Sequence, residues 1–377
     1  MSAPVHPGEV LAGKYRVERV LGVGGMGVVV AARHLQLDQS VALKFLLPEA
    51  IANAEASSRF LREARNAVRL RSEHVARVID VGTLETGAPY IVMEYLDGCD
   101  LAGLLARHRA LAIPVAVDYV LQACDAIAEA HSLGIVHRDL KPQNLFVTRG
   151  HDGSTLIKVL DFGISKSSVA GDLVATRTQA VMGSPAYMSP EQMRSAKLVD
   201  ARTDIWALGV ILYQLVLGHV PWDAETFTEL CFKVAMDPLP PFPAGSALPP
   251  GFEDVVRRCL EKDLQRRFPD IYHLAVALHP YAPPQAQALV ERIGRVLRGE
   301  TGNPVAQTQI ATPVPGPGTW GDVAGQKVTL HGRRRAAIGG VIATVGIGGI
   351  VALAFALRGG GAAQPGAPGQ PSAATAP

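Results

Sequence analysis

The apolar pattern of this 377-residue chain changes period once, near residue 100, and that change limits the available folds more than any other feature. Before it, runs such as Val28-Val29-Val30 and Tyr90-Ile91-Val92-Met93 are β-branched and bounded by turn signals, which predicts strands. From Leu101 onward the apolar residues recur at helical spacing. The expected fold is α+β: a small strand-rich lobe over residues 15–95, then a larger helical lobe over 96–279, with residues 1–14 as a leading segment.

Charge narrows the partners. Lys plus Arg number 36 and Asp plus Glu 34, a net +2, which leaves no cationic excess to hold nucleic acid by counterion release. Only 19% of residues are charged, against about 25% in an ordinary soluble domain, and mean hydropathy is +0.18, so a lipid-facing segment is expected. Cys99, Cys124, Cys231 and Cys259 are too scattered for a zinc or redox motif and are expected to be reduced. Met1 to Gly13 carries no basic flank followed by an apolar run, so no secretory signal is expected there.

The lipid-facing candidate is Ala336 to Leu357: 22 residues with no charge and no proline. As a helix it would be about 33 Å long, enough to cross a hydrocarbon core of about 30 Å. Arg333-Arg334-Arg335 precedes it and Arg358 alone follows, which places the N-terminal side in the cytoplasm of a single-pass inner-membrane protein. Residues 358–377 then form a short Gly/Pro/Ala tail outside. Small-residue pairs at Gly339 and Ala343, and at Gly348 and Ala352, have spacing that would allow a homodimer. Residues 280–335 read as a proline-rich juxtamembrane linker. Within them Gln285 to Arg298 shows one apolar helical face, fit for docking on the globular region or for a membrane-surface or dimer helix, docking being the simpler reading.

Chemistry-bearing residues fall in a few short runs. Gly22-Val23-Gly24-Gly25-Met26-Gly27 lacks side chains that would keep backbone N–H groups from phosphates, and the strand-like Val28 to Val30 after it predicts a flap between strands rather than a dinucleotide-binding turn. Lys44 stands in a strand-like apolar run, where a cation needs an anionic partner; Glu63 lies in the helical pattern nineteen residues on. His137-Arg138-Asp139-Leu140-Lys141-Pro142-Gln143-Asn144 gathers a base, two cations and an amide in eight residues. Asp161-Phe162-Gly163 follows the apolar run Leu156 to Leu160 and offers a carboxylate to a divalent metal, though alone it would also fit an ordinary turn.

Taken in order, these runs resemble the eukaryotic-type (Hanks-type) protein kinase family, and more closely the bacterial transmembrane serine/threonine kinases, over about Tyr15 to His279. Ser189-Pro190-Glu191 stands where Ala-Pro-Glu is usual, Asp204-Ile205-Trp206-Ala207-Leu208-Gly209 follows, and Arg267 matches the late arginine that pairs with that glutamate, here Glu191. Ser189, Leu264 in place of a proline, and Ser184 in place of a threonine depart from the pattern without touching a phosphate-handling group.

The resemblance implies a bilobal kinase fold and the roles that go with it. Lys44, held by Glu63, would contact the α- and β-phosphates of ATP beneath Gly22 to Gly27, with Val29, Ala42, Met93, Glu94 and Leu96 around the nucleotide: Met93 at the back pocket, Glu94 to Leu96 as the hinge. Asn144 and Asp161 would hold Mg2+, with Mn2+ as a substitute. Asp139 would orient the acceptor hydroxyl and Lys141 steady the transferring group, a lysine in this loop being the serine/threonine pattern. Arg138 would pair with a phosphorylated residue of the activation segment, Thr176 or Thr178, after autophosphorylation. The implied partners are ATP and proteins with Ser or Thr acceptors.

Two other classes share parts of this pattern. A membrane-anchored pseudokinase scaffold would bind nucleotide without transfer, yet Lys44, Glu63, Asp139, Asn144 and Asp161 are all present. A small-molecule kinase would lack the long segment from Asp161 to Glu191.

Overall fold

Alternation with period two builds the first sheet, which has six antiparallel strands in the order β1-β2-β3-β4-β6-β5. They are β1 (Val10–Leu11), β2 (Tyr15–Val23), β3 (Gly27–His34), β4 (Gln39–Leu46), β5 (Val78–Thr83) and β6 (Pro89–Glu94). The computed structural model describes residues 5–23, 27–51, 54–84, 86–150, 152–162, 185–195, 199–243 and 248–300. All of these belong to the first of two units, Met1–Gln307. Val28, Val30, Val41, Leu43, Phe45, Tyr90 and Val92 bury one sheet face with Tyr15 and Val17. Register pairs Val29 with Lys44, Lys44 with Ile91 and Ala42 with Met93, so these residues share the opposite face. Val5 and Leu11 join the same core, so the sheet starts ahead of Tyr15.

Helix α1 (Pro48–Ile51) leads into α2 (Ala54–Arg69), whose Phe60 and Ala64 pack on Leu46 and Ile91. Beyond β6 the helical pattern takes over with α3 (Leu101–His108) and α4 (Ile113–Ser132). Asp100 caps α3 by accepting from Gly103 N at 2.7 Å. A small sheet follows: β7 (Cys99–Asp100), β8 (Leu145–Arg149) and β9 (Thr155–Val159). The remaining helices are α5 (Pro190–Arg194), α6 (Arg202–Leu217), α7 (Phe227–Met236), α8 (Phe252–Cys259), α9 (Ile271–Leu278) and α10 (Gln287–Leu297).

Helices α4 and α6 are the axis of the larger lobe. Thirteen of 20 residues in α4 and twelve of 16 in α6 are buried, which only a helix covered nearly all round can achieve. Gly209, inside α6, is explained by close approach: a Cβ there would lie 2.4 Å from the Cys259 Cβ on α8. The four cysteines are free thiols, with Cys124 and Cys259 buried.

The segment from Gln285 to Arg298 docks. Val290 and Ile293 of α10 are buried in the core of the larger lobe, against α4, so the linker read from residue 280 starts only after this helix. Its apolar face is the reason, since leaving it in water would forfeit burial worth about 1.5–3 kcal/mol per large side chain. The uncharged stretch 336–357 lies outside the described residues; among those described, no helix is long and apolar enough to cross a membrane.

One buried ion pair locks the lower part of this lobe. Arg267, with a fully buried side chain, meets Glu191 through Nη1–Oε1 at 2.8 Å and Nη2–Oε2 at 3.2 Å. Its Nη1 also donates to Arg202 O and its Nε to Glu261 O. Thr203 Oγ1 donates to Glu191 Oε1 at 2.9 Å, and the Ser189 hydroxyl lies 2.6 Å from Thr203 Oγ1. Burial works against the Glu191 charge, but Arg267 outweighs it and holds the carboxyl below its ordinary range. Removing Arg267 would leave that carboxylate buried and uncompensated, a loss of about 3–5 kcal/mol. Arg267→Ala is therefore expected to lower the melting temperature by about 10 °C in a thermal scan. Arg266→Ala, whose side chain is 71% exposed, should change stability by less than about 0.5 kcal/mol; equal effects of the two would contradict this assignment.

Candidate active site

The sheet register brings Lys44 out of β4 onto the face that α2 covers. Its Nζ lies 2.8 Å from Glu63 Oε1 on α2 and 2.7 Å from Asp161 Oδ1, two residues beyond β9. Only 12% of the lysine side chain and 5% of the glutamate side chain reach solvent, against 33% for Asp161, so the cluster is nearly dry on the Glu63 side and open to the cleft at Asp161. Burial opposes the ammonium, yet Asp161 and Glu63 raise its pKa above the ordinary lysine value. Burial likewise opposes the Asp161 charge, and Lys44 overcomes it, keeping that carboxyl below its usual range. Glu63 is pushed the other way, by burial and by the neighbouring Asp161, because two carboxylates share one ammonium.

Residues 137–144 form a loop between α4 and β8 that ends in a single 3-10 turn, Pro142–Asn144. A fully buried carboxylate beneath it sets its shape. Asp204, in the first turn of α6, accepts from His137 N at 2.9 Å, Arg138 N at 2.8 Å and His131 Nε2 at 2.8 Å. The His137 ring donates from Nε2 to Leu160 O at 2.9 Å, accepts from Asp139 N at its Nδ1, and meets the Phe162 ring edge-on at 4.9 Å. Arg138 and Asp161 sit at φ 66° and 60°, left-handed conformations that cost a non-glycine residue about 1–3 kcal/mol each. The Gln192 amide helps hold the first of these by donating to Arg138 O at 2.8 Å.

Within the loop Lys141 Nζ donates to Asp139 Oδ2 at 2.8 Å, and Asn144 Nδ2 donates to Asp139 O at 2.7 Å. The amide nitrogen of Asn144 is thus turned to Asp139, which leaves its carbonyl oxygen as the atom for a cation. The described residues contain no group of three or more His, Cys, Asp or Glu side chains able to hold a metal by themselves. The Asp161 carboxylate and the Asn144 amide oxygen nevertheless suit a hard ion that brings its own phosphate and water ligands, as Mg2+ does.

The nucleotide-side residues are distributed as follows. Strands β2 and β3 flank the glycine run and pair through Gly22 with Val29 and Val23 with Val28; Gly24, Gly25 and Met26 lie outside the described residues. A Cβ on Gly27 would stand 2.6 Å from Phe45 O, so β4 excludes any side chain there. A Cβ on Gly22 would meet no protein atom within 4 Å. Val29, Ala42 and Met93 share the Lys44 face. Met93 lines a small cavity of about 20 Å³ with Glu63, Ala67, Val78, Asp161 and Phe162. Glu94 closes β6 and Leu96 follows it, half-buried. Thr176, Thr178, Gly163 and Ser184 lie outside the described residues.

Three site-shaping residues escaped the motif reading. His131 anchors Asp204, and its signal was a polar residue closing a long apolar helix. Lys158 is buried and pairs with Glu94 at 2.8 Å, while Arg77 N donates to the same carboxylate at 2.7 Å; a cation inside the apolar run Leu156 to Leu160 poses the same question as Lys44. Gln192 completes a capping box with Ser189, legible as Ser-x-x-Gln.

Residues 15–281 match the protein kinase domain family. The serine/threonine-protein kinase pkn3 of Myxococcus xanthus is 40% identical over 261 residues, 68% of this chain and 48% of that protein. PknB of Mycobacterium tuberculosis, also a serine/threonine-protein kinase by name, is 34% identical over 293 residues, 76% of this chain and 45% of that protein. The chain spans about half the length of the curated relatives it matches. The crystal structure of the PknI kinase domain of Mycobacterium tuberculosis aligns with a TM-score of 0.54 and 28% identity, covering 74% of this chain and 100% of that one. A lysine clasped by carboxylates from both lobes and a loop hung from a buried aspartate accord with these matches: the chain belongs to the protein kinase domain family, in its bacterial Hanks-type branch.

Proposed function

We propose that the chain is an ATP-dependent serine/threonine protein kinase that transfers the γ-phosphoryl group to Ser or Thr hydroxyls of proteins, its own activation segment included. The observation that carries this reading is the placement of Lys44 Nζ within 2.8 Å of carboxylates from both lobes. Glu63 fixes where the ammonium sits, and Lys44 from there binds the α- and β-phosphates. Asp161 and the Asn144 carbonyl oxygen would hold Mg2+, whose chemistry is to neutralise charge on the phosphate oxygens. Gly22 leaves open space where backbone N–H groups can approach the triphosphate. Asp139 orients the acceptor hydroxyl and takes its proton, while Lys141, already at its carboxylate, lies ready to meet negative charge building on the transferring group.

Asp139→Asn keeps the size of the side chain and removes the proton acceptor. Its kcat towards a generic Ser/Thr protein substrate is expected to fall by about 100- to 10,000-fold, with ATP binding by calorimetry changed less than about twofold. Retention of wild-type kcat would reject the reading.

Regulation and location belong to the same proposal. Arg138 is tethered through its N–H to Asp204 and its carbonyl to Gln192, which suits it to receive a phosphorylated Thr176 or Thr178. The Thr176→Ala, Thr178→Ala double variant is expected to lose about tenfold in activity; full activity with unphosphorylated enzyme would contradict this. Residues 336–357 anchor the chain in the inner membrane with the kinase domain in the cytoplasm, supported by their length, their lack of charge and the three arginines before them. The full chain should resist alkaline extraction from membrane pellets and a 336–357 deletion should not; a full chain found in the soluble fraction would overturn the anchor.

A further inference from the structure

The match to the kinase family ends at residue 281, yet α10 beyond it reaches the connection that follows α2. Arg292 on α10 donates from Nε to Asp125 Oδ1 on α4 at 2.6 Å and from Nη1 to Glu73 Oε1 at 3.1 Å; its Nη2 also meets Asp125 Oδ2. The Asp125 side chain is only 2% exposed. Its Oδ2 accepts from the Ser72 hydroxyl at 2.5 Å, and Glu129, one turn further along α4, accepts from Arg71 N and Ser72 N at 2.9 and 2.6 Å. Residues 70–77 are the connection from α2 to β5, so the end of the helix that carries Glu63 is pinned to α4 at this point.

The same connection is stitched to the strand that delivers Asp161. His74 Nδ1 donates to Ile157 O at 3.0 Å, Val159 N to His74 O at 2.7 Å and Ala76 N to Val159 O at 3.0 Å. Both carboxylates that grip Lys44 therefore depend on one short segment, and Arg292 is the cation that neutralises the buried aspartate beneath it. Glu73, the other acidic group facing Arg292, belongs to that segment as well.

We propose that Arg292 is a positioning residue for phosphoryl transfer: by bridging Asp125 and Glu73 it holds the connection after α2 against α4, and so keeps Glu63 and Asp161 on Lys44. This inference rests on the kinase reading above. Arginine suits the task because its planar fork spans two carboxylates, which an ammonium on the same stem cannot do. Loosening the segment withdraws the carboxylates that aim the ammonium and leaves the adenine side of the cleft in place, so turnover should suffer more than nucleotide affinity.

The test compares full-length wild type, Arg292→Ala, the double variant Arg292→Ala, Asp125→Asn, and Arg298→Ala, whose half-exposed side chain pairs with exposed Glu300 and meets Tyr272. The double variant removes the orphaned buried charge, so its melting temperature should return towards wild type. Its kcat should nonetheless stay about tenfold low, as in Arg292→Ala, with the KM for ATP within about twofold of wild type. Amide exchange should quicken over residues 63–76 in both, with α6 unchanged, and Arg298→Ala should match wild type. Wild-type kcat and exchange in the double variant, or exchange quickened equally through α4 and α6, would overturn the proposal. A wild-type chain that transfers no phosphate at all would defeat the kinase reading instead, and the exchange comparison would still decide whether Arg292 holds this segment.

Discussion

One ammonium group shared by two carboxylates is the interaction on which the rest of the structure depends. Lys44 sits almost out of water, where a lone cation would shed its proton or unfold its surroundings, and Glu63 and Asp161 make its charge favourable there. Because Glu63 comes from a helix packed on the upper sheet and Asp161 from the end of β9 in the lower lobe, the cluster can form only when the two lobes are correctly set. It also sets two carboxyl groups against one ammonium, which suits a cleft that receives a cation together with a phosphorylated nucleotide. The electrostatics of the site and the geometry of the fold are thus one requirement.

A second buried carboxylate organises the chemistry below the cleft. Asp204 holds two consecutive backbone N–H groups of the loop at His137 and Arg138, and its neighbour Thr203 joins the network of Ser189, Glu191 and Arg267. The first turn of α6 therefore fixes both the catalytic loop and the platform at Ser189 to Arg194. The strained backbone at Arg138 is held by Asp204 and Gln192, and Asp161 is held through its carboxylate by Lys44. Ser189, a departure from the family pattern, finds a place in this network: its hydroxyl caps α5 and contacts Thr203.

Much of this was legible in the sequence because the chemistry sits in short local runs. The loop from His137 to Asn144 announces itself by density of function, and Lys44 by being a cation in a strand. β-branched runs located the strands, and the resemblance supplied Val29, Ala42 and Met93, which the register sets on one face with Lys44. Harder to see were contacts whose partners are far apart in the chain. The bonds of His131 to Asp204 and of Arg292 to Asp125 span 73 and 167 residues, so no local pattern names the partner of either side chain. β1 lies ahead of the expected start at Tyr15 because it is a two-residue element stabilised by burial against the sheet rather than by its own pattern, whereas the apolar face of α10 is legible as a docking face.

The central claim, that the Lys44 cluster drives phosphoryl transfer to an alcohol, is tested most directly by following the label itself. Full-length protein incubated with γ-labelled ATP and magnesium, beside Lys44→Met, can be digested and the labelled side chains identified by mass spectrometry. The account predicts label on serine or threonine hydroxyls in the wild type and none in the variant. An unlabelled wild-type chain that still binds ATP, or equal labelling in Lys44→Met, would contradict it.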